Sequence, residues 1–146
     1  MDLRAATPHD LPALAAVDAL IATSPERLAE VAHAIVAQQV SVACVDGRPV
    51  GYLLLTHTFF GNGFVELLIV APHHRRGGIG AALMRHARAI CRTPKLFTST
   101  NASNTPMQAL LDHLGYVRCG TIEGLDDGDP EWVYIHRVRP HGPASL

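Results

Sequence analysis

The run Val70-Ala71-Pro72-His73-His74-Arg75-Arg76-Gly77-Gly78-Ile79-Gly80-Ala81-Ala82-Leu83 holds the residues best suited to chemistry. An apolar strand feeds a basic, glycine-rich turn, and the turn opens a helix. The first N–H groups of a helix have no partner inside it, and the helix dipole adds about half a positive charge there. Gly77, Gly78 and Gly80 carry no side chains, so a diphosphate can approach the backbone, with Arg75 and Arg76 adding charge at the rim. The G-G-x-G spacing is neither the dinucleotide fingerprint G-x-G-x-x-G nor the P-loop, which argues against a dehydrogenase or an ATPase. A bare glycine-rich turn is equally explained by a helix that packs closely on a sheet.

Periodicity supplies the elements that must position this turn. Leu3–Ala6 is a short strand, and Asp10 caps a helix carrying Leu11, Leu14, Ala15 and Asp18 at helical spacing. Ser24 caps a second helix over Pro25–Gln39, with Leu28, Val31, Ala32, Ile35 and Val36 facing inward. From Val40 the period is two: strands over 40–45 and 50–60 flank a turn at Asp46-Gly47-Arg48-Pro49, and a second turn falls at Gly61-Asn62-Gly63. Phe64–Val70 is apolar save for Glu66 and reads as a central strand buried on both faces. Then follow a helix over 79–91 with Ile79, Leu83, Ala87 and Ile90 inward, a strand over 96–100, a helix over 106–114, and strands over 117–122 and 132–138. The order predicts an α/β (α+β) mixed sheet that is not doubly wound, because tight turns join three consecutive strands.

Composition narrows the setting. The 146 residues are 48% hydrophobic and 17% charged, enough for one compact domain over 1–139, with a frayed tail over 140–146. Twelve Lys and Arg, all Arg except Lys95, nearly cancel thirteen acids, which argues against a nucleic-acid or membrane binder. Cys44, Cys91 and Cys119 are scattered, as small buried thiols in a reducing compartment would be. Without a signal core or a run near the ~18 apolar residues of a membrane span, a cytoplasmic location is expected.

The motifs resemble a known family. Arg75-x-x-Gly78-x-Gly80 matches the Q/R-x-x-G-x-G/A signature of the GNAT superfamily of acyl-CoA-dependent N-acyltransferases, as do the Val70-x-Pro72 lead-in and Ala81-Ala82-Leu83-Met84. Asn104-Thr105-Pro106-Met107 and Leu114-Gly115-Tyr116 are similar to its second cofactor element. The resemblance implies a mostly antiparallel sheet of about seven strands with a central, splayed parallel pair, flanked by about four helices. It implies acetyl-CoA as co-substrate, its pyrophosphate held by N–H groups from Arg76 through Gly77, Gly78, Ile79 and Gly80 to Ala81, with Arg75 alongside. It further implies that the pantetheine arm pairs with strand backbone at Leu68 and Val70 and meets Asn104 and Asn101. A plain helix cap is an equal reading of Asn104. A strand-edge homodimer is implied by the same analogy.

Acyl transfer to an amine needs a base for the ammonium, a donor for the thioester oxygen and a proton or positive field for the thiolate. Glu66 is the candidate base: it shares a strand face with Leu68 and Val70, and apolar neighbours would raise its pKa. A carboxylate at the wetter start of the strand, solvated or paired with an arginine, is the alternative. The donor is a backbone N–H near Val70, as the resemblance implies. The acid is the departure, since Leu111 stands where many family members carry Tyr; water, Tyr116, Tyr134 or a cleft histidine such as His57 is left for that role. Nine histidines include no i,i+3 or i,i+4 ligand pair, so no metal is expected. Glu123, Asp126, Asp127, Asp129 and Glu131 form an acidic loop where a cationic acceptor would be drawn, with Asp126, Asp127 and Asp129 as substrate candidates; Asp-Gly turn chemistry explains the loop as well. The leading reading is an N-acetyltransferase acting on a primary amine of a small molecule or peptide. The rivals are a non-catalytic acyl-CoA-binding module and a protein N-terminal acetyltransferase.

Overall fold

The structure, a computed structural model, describes residues 1–138, so the tail read over 140–146 lies outside the described residues. Strands β1 (Asp2–Ala5), β2 (Val40–Val45), β3 (Arg48–Phe59), β4 (Asn62–Val70), β5 (Lys95–Asn101), β6 (Val117–Ile122) and β7 (Glu131–Arg137) form one sheet. Its order is β1-β2-β3-β4-β5-β7-β6. Pairing is antiparallel for β1–β2, β2–β3, β5–β7 and β6–β7, and parallel for β4–β5. Five α-helices are described, α1 (Leu11–Val17), α2 (Ala19–Thr23), α3 (Pro25–Val36), α4 (Ile79–Ile90) and α5 (Thr105–His113), with 3₁₀ turns at Pro8–Asp10 and Pro72–His74. The mixed, mostly antiparallel seven-stranded sheet is therefore as predicted.

The chain divides into two compact units. The first comprises Met1–Leu55 and Glu66–Ala87. Its core gathers Leu14, Val17 and Ile21 from α1 and α2, Val31, Ala34 and Ile35 from α3, Val40, Val42 and Cys44 from β2, and Tyr52 and Leu54 from β3. Burial on this scale, at about 25 cal/mol per Å² of apolar surface, dominates the folding free energy. The second unit comprises Thr56–Val65 and Arg88 onward, and contains β5, α5, β6 and β7.

Several local expectations are corrected. The first helical run breaks at Asp18, whose backbone is extended and whose carboxylate accepts from Leu20 N–H at 3.1 Å, so Asp18 caps α2 instead of extending α1. Asp10 makes no cap bond to α1; its carboxylate is taken by Arg4 at 2.8 Å and by Thr7 N–H at 2.8 Å. On α3 the buried stripe is rotated: Leu28 and Val36 are exposed, and Arg27 turns inward to meet Asp18 at 2.6 Å. Ile90 is exposed on α4, where Met84 joins Ile79, Leu83 and Ala87 in the core. Both hairpins use two-residue turns with positive φ at each position, Asp46-Gly47 and Phe60-Gly61, so Arg48, Pro49, Asn62 and Gly63 belong to strands. Cys44 and Cys91 are buried as expected, but Cys119 is exposed.

Candidate active site

The first unit builds its site from β4 into α4. The parallel register of β4 with β5 covers Gly63–Val65 against Leu96–Thr98, and among the described residues it ends there. Leu67, Ile69 and Ala71 pack partly buried against the core, so the two-residue period puts Leu68 and Val70 on the other face. All of Leu67 to Val70 are only half-buried, which corrects the expectation of a strand enclosed on both faces.

Beyond Val70 the chain is pinned twice. Ala71 N–H donates to Val50 C=O at 2.8 Å, and Arg75 Nε donates to Val70 C=O at 3.2 Å. Arg76 and Gly78 then adopt left-handed φ of 67° and 83°. For Arg76 this conformation costs about 1 kcal/mol, which glycine at 78 avoids. Ala82 N–H donates to Gly78 C=O at 3.0 Å, the first bond of α4. By helix geometry the N–H groups of Ile79, Gly80 and Ala81 have no intrahelical acceptor. Arg75, Arg76, Gly77 and Gly78 are all exposed around them.

Gly51 explains how α4 comes to rest so close to the sheet. A Cβ there would lie 3.1 Å from both Ile79 Cγ2 and Ile69 C=O, and 3.2 Å from Leu83 Cδ1. A glycine inside a strand is the sequence signal for such a close approach.

Glu66 is exposed at the start of this half-strand.

The remaining candidates belong to the second unit. Asn104 Oδ1 accepts from Met107 N–H at 3.2 Å, so this side chain caps α5. Asn101 Nδ2 donates to Asp126 Oδ2 at 2.9 Å and to Asp129 C=O at 3.3 Å. Asp129 in turn accepts from Ser103 Oγ at 2.6 Å and Ser103 N–H at 3.0 Å. The structure thus brings Asn101, Asp126 and Asp129 together as a clasp between the acidic loop and the start of α5. Asp127 stands exposed on that loop.

Leu111 is fully buried, and Tyr116 beside it in the fold of this unit is buried too. The Tyr116 hydroxyl has no hydrogen-bond partner among the described residues, its ring lies 4.9 Å from that of His136, and burial pushes its pKa up. Burial likewise raises the Tyr134 hydroxyl. His57 Nε2 accepts from Arg92 N–H at 3.1 Å; burial, with the Arg92 charge second, lowers its pKa. Trp132 carries Arg118 3.7 Å above its ring, a cation–π contact.

Residues 14–116 match the model of the acetyltransferase (GNAT) family. The chain belongs to that family. A GNAT acetyltransferase structure from Bacillus cereus is 30% identical, with a TM-score of 0.87 over 93% of this chain and 96% of that one. The ribosomal-protein-alanine N-acetyltransferase of Brucella melitensis is 25% identical, with a TM-score of 0.72 over 94% and 99%. A streptothricin acetyltransferase of Bacillus anthracis, solved with acetyl coenzyme A, is 17% identical with a TM-score of 0.62 over 67% and 61%, and shares the fold. No curated protein sequence matches the chain. This GNAT chain is thus an acyl-CoA-dependent acetyltransferase. Among its described residues no helix is long and apolar enough to cross a membrane, and no group of three His, Cys, Asp or Glu is disposed to hold a metal ion.

Proposed function

We propose that the chain transfers the acetyl group of acetyl-CoA to a primary amine of a small molecule or peptide, with Glu66 as general base acting through water. One observation carries this reading: three N–H groups without helical acceptors, two left-handed residues and two exposed arginines meet at the start of α4. That is the donor set a diphosphate needs, so the residues fit the cofactor. When bound, acetyl-CoA supplies an activated thioester acyl group. Arg75, Arg76 and the backbone from Gly77 to Ala81 hold the diphosphate. The main chain at Leu68 and Val70, on the half of β4 past the β5 register, aligns the pantetheine arm. Glu66, two and four residues before them on the same strand, takes the proton of the incoming ammonium. Asn101 and Asn104 are already bonded within their own unit, so their proposed cofactor contact uses the remaining donors of Asn104 first.

Leu111 cannot donate a proton, and the Tyr116 hydroxyl is buried, so water protonates the departing thiolate, a fair leaving group by itself. The exposed Asp127 carboxylate, with Asp126 and Asp129 on the same loop, is the proposed attraction for a cationic acceptor. The named activity of the Brucella relative supports including a peptide N-terminus in the acceptor panel. The experiment is thiol release from acetyl-CoA with small amines and short peptides. Amine-dependent release is expected; tight acetyl-CoA binding with no release on any acceptor would favour the non-catalytic module that Leu111 suggests.

A further inference from the structure

All four phenylalanines of the chain lie together in the second unit. The Phe59 ring is 4.6 Å from Phe64, 5.1 Å from Phe97 and 5.1 Å from Phe60. Phe64 and Phe97 are register partners between β4 and β5, Phe97 faces Ile135 on β7, and Ile135 faces Val117 on β6. An apolar row therefore crosses five strands and reaches the free edge of the sheet at β6. The strand neighbours of Phe97, Leu96 and Thr98, are buried on the opposite face. Phe59, Phe64, Phe97 and Ile135 are only half-buried, and Val117 is exposed.

Phe60 is the sharpest part of this surface. It is 90% exposed and occupies the first position of the β3–β4 turn with φ +50°. Such a turn favours Asn or Gly at that position, and a bulky residue there is strained. The chain thus accepts a conformational cost and an exposed ring at one place. Covering the ring removes the exposure and offsets the conformational cost.

Charge indicates what covers it. Lys95 and Arg137 are register partners at one end of the β5–β7 pair, on the strand face of Phe97 and Ile135. The acidic loop from Glu123 to Glu131 lies at the other end. This face is basic at one end, apolar across a row, and acidic at the other, so it is complementary to itself when inverted.

We propose that this face is the contact between two copies of the chain, related by a twofold axis that sets their β5 strands antiparallel. Phe60 and the row from Phe59 to Val117 pack between the copies, and the basic end of each copy meets the acidic loop of the other. The surface is the sheet face, in contrast to the strand-edge contact suggested by analogy.

Sedimentation equilibrium on the full chain tests it, with Phe60→Asn and Arg137→Glu. Phe60→Asn installs the favoured Asn-Gly turn, so loss of dimer there cannot arise from a damaged fold. The wild type is expected at twice the 15.7 kDa chain mass, with the dimer weakened at least about tenfold in each variant. A wild type that stays monomeric at about 200 μM, or a dimer that Phe60→Asn does not weaken, overturns the proposal. Weakening by Phe60→Asn without weakening by Arg137→Glu overturns the antiparallel arrangement.

Discussion

Arg75 Nε donates to the Val70 carbonyl at 3.2 Å, which folds the arginine back over the end of β4 beside the first turn of α4. The bond uses one guanidinium donor and leaves the terminal nitrogens for an anion. Arg75→Ala is therefore expected to weaken acetyl-CoA binding by about five- to thirtyfold, and Arg75→Lys to restore only part, because an ammonium cannot make both contacts in the same fixed geometry. Isothermal titration of the three proteins with acetyl-CoA checks the order.

A buried polar hub fixes the helices of the first unit. Asp18 Oδ2 accepts from the Tyr52 hydroxyl and from Arg27 Nη1, each at 2.6 Å, and Tyr52 is fully buried. Tyr52→Phe removes one donor and is expected to cost about 1–2 kcal/mol. Asp18→Ala strands both partners and uncaps α2, so about 3–5 kcal/mol is expected. Urea denaturation of the two variants should give that ranking; equal costs would remove Asp18 from the centre of the hub.

This hub also shows what was legible in the sequence. Ser24, the Arg75–Gly80 run and the alternation of β5 each act through their neighbours in the chain, so reading locally located them. The break at Asp18 did not show, because an isolated Asp at helical spacing continues a helix unless Tyr52 and Arg27 arrive from elsewhere to hold it. Leu28 faces outward for a related reason: the Asp18–Arg27 pair rotates α3, and periodicity cannot express that. At the site, the glycines and arginines were visible as a motif. Gly51 was hidden because its meaning depends on Ile79 and Leu83 lying above it. In the acidic loop Asp126 and Asp129 are engaged by Asn101 and Ser103, partners about 25 residues away in sequence, which the composition of the loop alone cannot express.

Acid should expose the Arg4–Asp10 pair. Hydrogen bonds from Arg4, with Thr7 N–H adding to them, lower the Asp10 pKa to about 2. A carboxylate whose folded pKa is depressed contributes stability above its unfolded value near 3.9, and this is lost as pH falls toward about 2. Arg4 is partly exposed, so the contribution is discounted to about 1 kcal/mol. Thermal unfolding of wild type and Arg4→Ala between pH 5 and pH 2 should converge at the acid end; a constant difference would contradict the linkage.

Glu66→Gln keeps the shape of the side chain and removes the base. A fall of about 10²–10⁴ in kcat is expected, with the acid limb of the kcat/KM profile flattened and acetyl-CoA affinity unchanged. Steady-state rates across pH, together with cofactor titration of the variant, separate this from damage to the diphosphate site. Wild-type kinetics would remove Glu66 from the mechanism.

The central claim is that the first turn of α4 binds the diphosphate of acetyl-CoA, and the pair Gly78→Asp and Gly78→Asn tests it most directly. Gly78 has φ +83° with open space where a Cβ would project, and Asp and Asn are near-isosteric residues that both tolerate this conformation. Their difference in acetyl-CoA affinity, measured by calorimetry, therefore reports one negative charge at the anion site. At least about tenfold weaker binding by Gly78→Asp than by Gly78→Asn, near 1.4 kcal/mol, is the predicted result. Equal affinities in the two variants would place the diphosphate elsewhere and contradict the account.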